Sequence, residues 1–326
     1  MSQQQQMNRR DLLGLAALAG AGLALGPIGR TFGQAGSERK KVLFFTKSSG
    51  FPHPVVNRKN GEPAYAERLL TEFGSKAGYD ITCTKDGSVF TPDGLKAYDA
   101  IVFYTTGDLT TNAAKNPKDD QGPAMPKEGP EALFDFIASG KGFLGFHCAS
   151  DTFHSPNYAD KSIGQQMSLL RDAAAKPADV RSKYIKMIGG EFITHQSQQP
   201  ATMKVFDPKF PGFDGVKDTG FTEEWYSLGN FSDDLHVLLV QDTESMKAKG
   251  EKAYQRAPYP ATWAKPYEKG RVFYTNMGHR EDVWASPFFQ QVTLAGLAWV
   301  TGRTQFDPKP NVKEATPEVV TFAAAR

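Results

Sequence analysis

Apolar residues follow two rhythms along this chain. Short unbroken runs alternate with segments in which apolar side chains recur every three or four positions. Residues 41–46 read Lys-Val-Leu-Phe-Phe-Thr, a buried-strand run. Residues 64–77 carry Ala66, Leu69, Leu70 and Phe73 at helical spacing. Further strands are predicted at 79–84, 98–104 and 142–147, with a helix at 131–139 before the last of them. This alternation predicts an α/β fold: a parallel sheet covered on both faces. Such sheets bind ligands just past the carboxyl ends of their strands. That rule singles out residues 47–53, 105–108 and 147–154.

The second half is less regular. Residues 165–183 are polar and predict a helix, then a loop. Strands are predicted at 202–206 and 236–240. Residues 261–264 and 270–275 predict an antiparallel pair turning at 265–269. A closing helix is expected at 288–300, with Gly302 past its end. The expected sheet is therefore mostly parallel with an antiparallel extension in the C-terminal half. No repeat or linker interrupts residues 36–304, which predicts one domain. Residues 305–326, with Pro308 and Pro310, predict an extended, loose tail.

The first 35 residues stand apart. Asn8-Arg9-Arg10-Asp11-Leu12-Leu13 precedes an Ala/Gly/Leu-rich run, and Gly33-Gln34-Ala35 supplies small residues for cleavage. This layout predicts a twin-arginine signal peptide over 1–35 and a periplasmic or extracellular protein. A membrane anchor is the competing reading. The run is short and weakly hydrophobic for a span, so no stable membrane span is expected after processing. The whole chain has 38 basic and 36 acidic residues. Residues 1–35 hold three of the former and one of the latter, which leaves 35 of each. A neutral domain without basic clusters offers no footprint for nucleic acid. It suits a small neutral ligand. Two cysteines, Cys83 and Cys148, allow one disulfide at most.

Histidines fall in the loops that the strand pattern marks. Of the six, only His236 begins a plain strand; His53, His147, His154, His195 and His279 lie in candidate site loops. His147 ends the fourth strand in a turn of small residues, the layout of a nucleophile elbow. Asp151 follows four residues on. Cys148 reads more simply as a small buried thiol than as a nucleophile. Glu191 and His195 follow the paired glycines Gly189-Gly190 and would share a face if helical. Glu223-Glu224-Trp225-Tyr226 joins carboxylates to aromatics, a pairing suited to sugars. The reading gives His147, Asp151, His195, Glu224 and His279 as acid–base or catalytic groups. Lys47, Phe51, His53, Trp225 and Tyr226 are the candidate substrate contacts. His147, His195 and Glu224 are the candidate ligands of a divalent metal such as zinc. No H-E-x-x-H or C-x-x-C signature is present, and the metal stays open.

Residues 44–53 (Phe-Phe-Thr-Lys-Ser-Ser-Gly-Phe-Pro-His), 146–153 (Phe-His-Cys-Ala-Ser-Asp-Thr-Phe), 188–192 (Ile-Gly-Gly-Glu-Phe), 223–228 (Glu-Glu-Trp-Tyr-Ser-Leu) and 270–279 (Gly-Arg-Val-Phe-Tyr-Thr-Asn-Met-Gly-His) resemble the ThuA-like, trehalose-utilisation family in order and spacing. The resemblance spans about residues 41–302. It implies a flavodoxin-like three-layer fold related to class I glutamine amidotransferases, without their Cys-His-Glu triad. It implies a disaccharide or 3-keto-sugar as substrate and a functional link to a sugar dehydrogenase. Residues 163–186 look longer than the family pattern, and 112–127 look like an addition. An enzyme acting on a sugar or keto-sugar and a carbohydrate-binding module without turnover both remain open. A thiol-dependent hydrolase or amidotransferase is the weakest alternative.

Overall fold

The computed structural model describes residues 38–114, 117, 119–156 and 179–324. The signal peptide expected at 1–35 and most of the helix expected at 165–183 lie outside the described residues. So does much of the segment that looked longer than the family pattern.

One nine-stranded sheet organises the chain. Its parallel half comprises β1 (Lys40–Phe45), β2 (Tyr79–Thr84), β3 (Ala100–Phe103), β4 (Gly142–Phe146) and β12 (Gly270–Thr275). These run in the order β2-β1-β3-β4-β12, every neighbour parallel. That order is the flavodoxin-like one. Every residue of β3 and β4 is buried, as expected for strands covered on both faces.

The antiparallel half continues from β12 through β11 (Tyr259–Tyr267), β10 (His236–Asp242), β6 (Gln199–Val205) and β7 (Thr219–Glu223). Strand β12 thus serves both halves. The two faces of β4 carry different partners. Phe143 packs its ring against Tyr184 of the helix Lys183–Ile188, while Phe146 packs against Trp284 and Phe289 of the helices Glu281–Ala285 and Pro287–Val300. This makes the three layers.

Among the described residues, two short pairings lie outside the main sheet. Strand β5 (Glu191–Thr194) pairs antiparallel with β8 (Ser227–Gly229), and β9 (Phe231–Ser232) pairs parallel with β13 (Thr321–Phe322). The Gly-Gly segment therefore leads into a strand and not a helix. The C-terminal tail differs from the loose expectation too. His236 Nδ1 donates to the Lys309 carbonyl at 2.6 Å, and Val312 is buried. Arg181 reaches the Ala323 carbonyl at 2.8 Å. Proline at 308 and 310 prevents regular structure locally, but the tail still folds back onto β9 and β10. Among the described residues, no helix is long and apolar enough to cross a membrane.

Candidate functional site

The site forms where the sheet's carboxyl edge meets a segment brought across from its far end. β4 ends at Phe146, and the chain then makes a tight turn, His147–Asp151. His147 takes φ +39°, a left-handed conformation that a non-glycine residue adopts only under constraint. Its side chain is fully buried. Nδ1 lies 3.1 Å from the Asn276 carbonyl. A carbonyl only accepts, so Nδ1 carries the proton and Nε2 presents a lone pair. That Nε2 is buried without a protein partner, 3.5 Å from Glu224 Oε2.

His53 comes from the loop after β1. Ser49 and Gly50 donate backbone N–H to the Thr106 carbonyl and hold that loop against the one after β3. His53 Nε2 is 3.9 Å from Glu224 Oε2 and 3.1 Å from the Tyr226 hydroxyl, and Nδ1 is a buried orphan. His279 comes from the turn after β12. Gly278 sits there at φ +119°, which favours glycine. The Gly278 carbonyl accepts from Tyr104 and Trp284, and the N–H groups of Gly278 and His279 both donate to buried Glu223. His279 Nδ1 approaches Glu224 Oε2 to 3.0 Å but is not aligned as a hydrogen bond.

Glu224 follows β7, at the opposite edge of the sheet. Trp225 Nε1 donates to the Gln199 carbonyl, and the Tyr226 carbonyl accepts from Asn276 and Tyr259. These bonds draw residues 224–226 over the sheet. The Tyr226 ring then packs on His147, with centroids 3.9 Å apart.

One ligand-type atom from each of His53, His147, Glu224 and His279 lies within 4.8 Å of every other. Two atoms bound to one tetrahedral zinc at about 2.0–2.2 Å sit roughly 3.3 Å apart. The separations of the ring nitrogens from Glu224 Oε2, 3.0, 3.5 and 3.9 Å, bracket that value. Electrostatics agree with the geometry. Burial pushes the His147 pKa down to about 3 and lowers that of His53, so both rings stay neutral at neutral pH. Burial would raise the pKa of Glu224, but its contacts with His147, His279 and His53 outweigh this and hold it well below the usual carboxylate range. Neutral imidazoles around one carboxylate are the donor set of zinc and similar ions. The bond from His147 Nδ1 to a backbone carbonyl is the outer contact that ligating histidines usually make. The residues fit a divalent ion.

The other expected site residues take varied positions. His195 is exposed at the rim, with Nδ1 3.5 Å from Glu224 Oε1, outside the converging set. It was expected as a ligand; His53 and His279 stand there with His147 and Glu224 instead. Asp151 pairs with His154 at 2.5 Å. Phe51 is 62% exposed, its ring 5.2 Å from that of His53, and so offers an open apolar face beside the cluster. Three expected substrate contacts are otherwise engaged. Lys47 is buried, and its amino group donates to Asn112 Oδ1 and the carbonyls of Gln121 and Gly122, which ties down the loop after β3. Trp225 is fully buried and presents no face to a sugar. Tyr226 is buried too and supports His53 and His147. Glu191 turns from His195 towards His154. Cys83 and Cys148 are unpaired, and burial pushes the Cys148 thiol far above its ordinary range. Asn276 and Glu223 lie within the motifs at 270–279 and 223–228, but their supporting roles, Asn276 to His147 and Glu223 to the His279 turn, are not readable from those motifs.

The trehalose-utilisation family model, ThuA, matches residues 41–170 and 169–300. The chain belongs to the ThuA family. Two solved structures share the fold of this ThuA-family protein. A protein described as ThuA-like from Bacteroides uniformis is 18% identical with a TM-score of 0.53, over 82% of this chain and 94% of that one. A second, from Parabacteroides merdae, is 17% identical with a TM-score of 0.51, over 83% and 94%. No match is found among curated proteins.

Proposed function

We propose that this ThuA-family protein is an exported, carbohydrate-active enzyme whose centre holds a divalent ion such as zinc on His53, His147, Glu224 and His279. One observation carries the reading: four ligand-type side chains from four separate loops converge, and the His147 Nε2 and His279 Nδ1 that face Glu224 have no hydrogen-bond partner. A buried polar atom left without a partner costs about 1–3 kcal/mol, so such a set is built for something that satisfies it. A divalent ion bound there supplies Lewis acidity that polarises a carbonyl or hydroxyl oxygen.

The chain's own groups do the rest. Tyr226 braces the His147 ring, and Glu223 anchors the turn that bears His279. Asp151 and His195 lie at the rim as acid–base or hydroxyl-binding groups. The exposed ring of Phe51 suits the C–H face of a pyranose. The family description, trehalose utilisation, and the neutral charge of residues 36–326 support a small neutral disaccharide; a 3-keto-sugar supplied by a sugar dehydrogenase is our extension of that reading. The buried Cys148 thiol disfavours a thiol mechanism.

Metal analysis of protein purified from its native compartment tests the centre: about one equivalent of a divalent ion is expected, and protein free of metal overturns the reading. Turnover of 3-keto-disaccharides that stops with chelator and returns with metal is expected. A metal-loaded protein that binds sugars without turning them over would instead support a binding module. Replacement of Arg9 and Arg10 by lysine should leave precursor in the cytoplasm; unchanged export would overturn the twin-arginine reading.

A further inference from the structure

Beside the cluster lies a second arrangement that uses none of its four residues. The His154 ring sits between two carboxylates, with Nε2 2.5 Å from Asp151 Oδ1 and Nδ1 2.9 Å from Glu191 Oε1. Ionised carboxylates only accept, so both ring nitrogens carry protons. The two ends of this bridge differ. Glu191 is fully buried, and its oxygens also accept from Ser155 N, Ser155 Oγ and Asn230 Nδ2 at 2.8, 2.8 and 2.6 Å. Arg181 in turn donates to the Asn230 carbonyl and to Ser232. This end is a fixed anchor.

The Asp151 end faces outward. Its side chain is 20% exposed. Its backbone carbonyl accepts from Gly107 N at 2.7 Å. The adjacent Thr106 accepts from Gly50 N through its carbonyl and donates through Oγ1 to the Phe51 carbonyl. Asp151 is thus stitched to the loop that carries Phe51 and His53. Oδ2 makes no hydrogen bond among the described residues, whereas Oδ1 is held by His154.

The backbone between the two residues is strained to make this contact. Phe153 takes φ +47°. Such a conformation costs about 1–3 kcal/mol and persists only where its surroundings enforce it. Here Phe153 N donates to the Gly107 carbonyl, and Ser182 Oγ donates to the Phe153 carbonyl. The chain turns back, and His154 meets a residue only three positions earlier.

We infer that His154 is a positioning residue: anchored by buried Glu191, it fixes the Asp151 carboxylate at the rim of the cluster, with one oxygen left to accept a hydrogen bond from a ligand hydroxyl. The inference rests on the proposed function only in that a hydroxyl-bearing ligand visits the cluster. His154 itself does not touch that ligand.

The test uses the purified protein with 15N-labelled histidine, together with the variants His154→Gln, Asp151→Asn and the double variant. At pH 7.5, long-range proton–nitrogen spectra should show the His154 ring, assigned by comparison with His154→Gln, protonated on both nitrogens with a strongly deshielded proton. His154→Gln should remove this signal and Asp151→Asn should shift it. A singly protonated ring, or a signal indifferent to Asp151→Asn, overturns the inference. With a 3-keto-disaccharide, each single variant should lose about 10–100-fold in kcat/KM, the range typical of outer supporting contacts, with metal content unchanged. The double variant should be no worse than Asp151→Asn, because both act through one carboxylate. Multiplicative losses would mean that His154 acts otherwise. If the parent protein turns over no such sugar, the functional reading fails separately. The crystal structure of His154→Gln then decides: Asp151 should leave its position, and an unmoved carboxylate overturns the positioning role.

Discussion

Replacing Glu224 by glutamine removes the one charged member of the cluster while keeping its size. Glu224 Oε2 stands 3.0–3.9 Å from nitrogens of three histidines. Structural zinc sites with four ligands bind with roughly 10–16 kcal/mol, on the order of 3 kcal/mol per ligand. At 1.4 kcal/mol per decade, Glu224→Gln should weaken zinc binding about 100-fold or more. Zinc at about 1,000 times its Kd should stabilise the parent protein by roughly 4 kcal/mol. For a chain of this size that shifts Tm by about 6 °C. The assay is zinc titration against a chromophoric chelator at pH 7.5, with thermal unfolding of each protein with and without metal. The metal-dependent increment is the readout, so a change in the metal-free protein does not confuse it. Affinity within about fivefold of the parent, or an undiminished shift in Tm, would refute the assignment of Glu224 as a ligand.

The other predictions concern the surroundings. Asp151 and Glu191 outweigh burial and raise the His154 pKa to about 10, above its unfolded value of about 6.5. The stabilisation is therefore complete below pH 6.5 and lost as pH rises through 10. Denaturant titrations should show the parent losing a few kcal/mol more than His154→Gln between pH 7 and 10; parallel curves would sink the idea. Arg181→Ala should cost about 2–3 kcal/mol, since its charged hydrogen bonds reach Asp179, Ser232 and the Ala323 carbonyl. Limited proteolysis should then release residues near β13 first, and a tail as resistant as the parent's would count against the clamp. Cys148→Ala should keep metal content and any turnover, and in the native protein the Cys148 thiol should resist a thiol reagent; rapid native labelling of Cys148 would contradict its burial.

Much of the architecture was legible in the chain because local pattern and burial coincide there. β2 and β12 lie at the predicted residues, and β1, β4 and the closing helix within a residue of them. Fully apolar runs such as residues 142–146 admit few other fates than a covered strand. The carboxyl-edge rule alone puts His53, His147 and His279 in candidate loops. Burial of Trp225 and the locking of Lys47 were not legible. Both depend on partners far away in sequence, Gln199 for the first and residues 112–122 for the second. The docked tail likewise needs His236 and Arg181 to supply its contacts.

The residue types of the site were thus set by sequence, and their partition was set by the tertiary fold. Glu224 and His195 come from the antiparallel half, where no local rule says how far a segment crosses over the sheet. The fold brings Glu224 among three histidines and leaves His195 at the rim. It also divides Asp151 and Glu191 from that cluster and joins them through His154. Periodicity reports which face of an element is buried. Convergence of side chains from loops after β1, β4, β7 and β12 depends on sheet order and on close approach across the sheet, which exist only once the chain has folded.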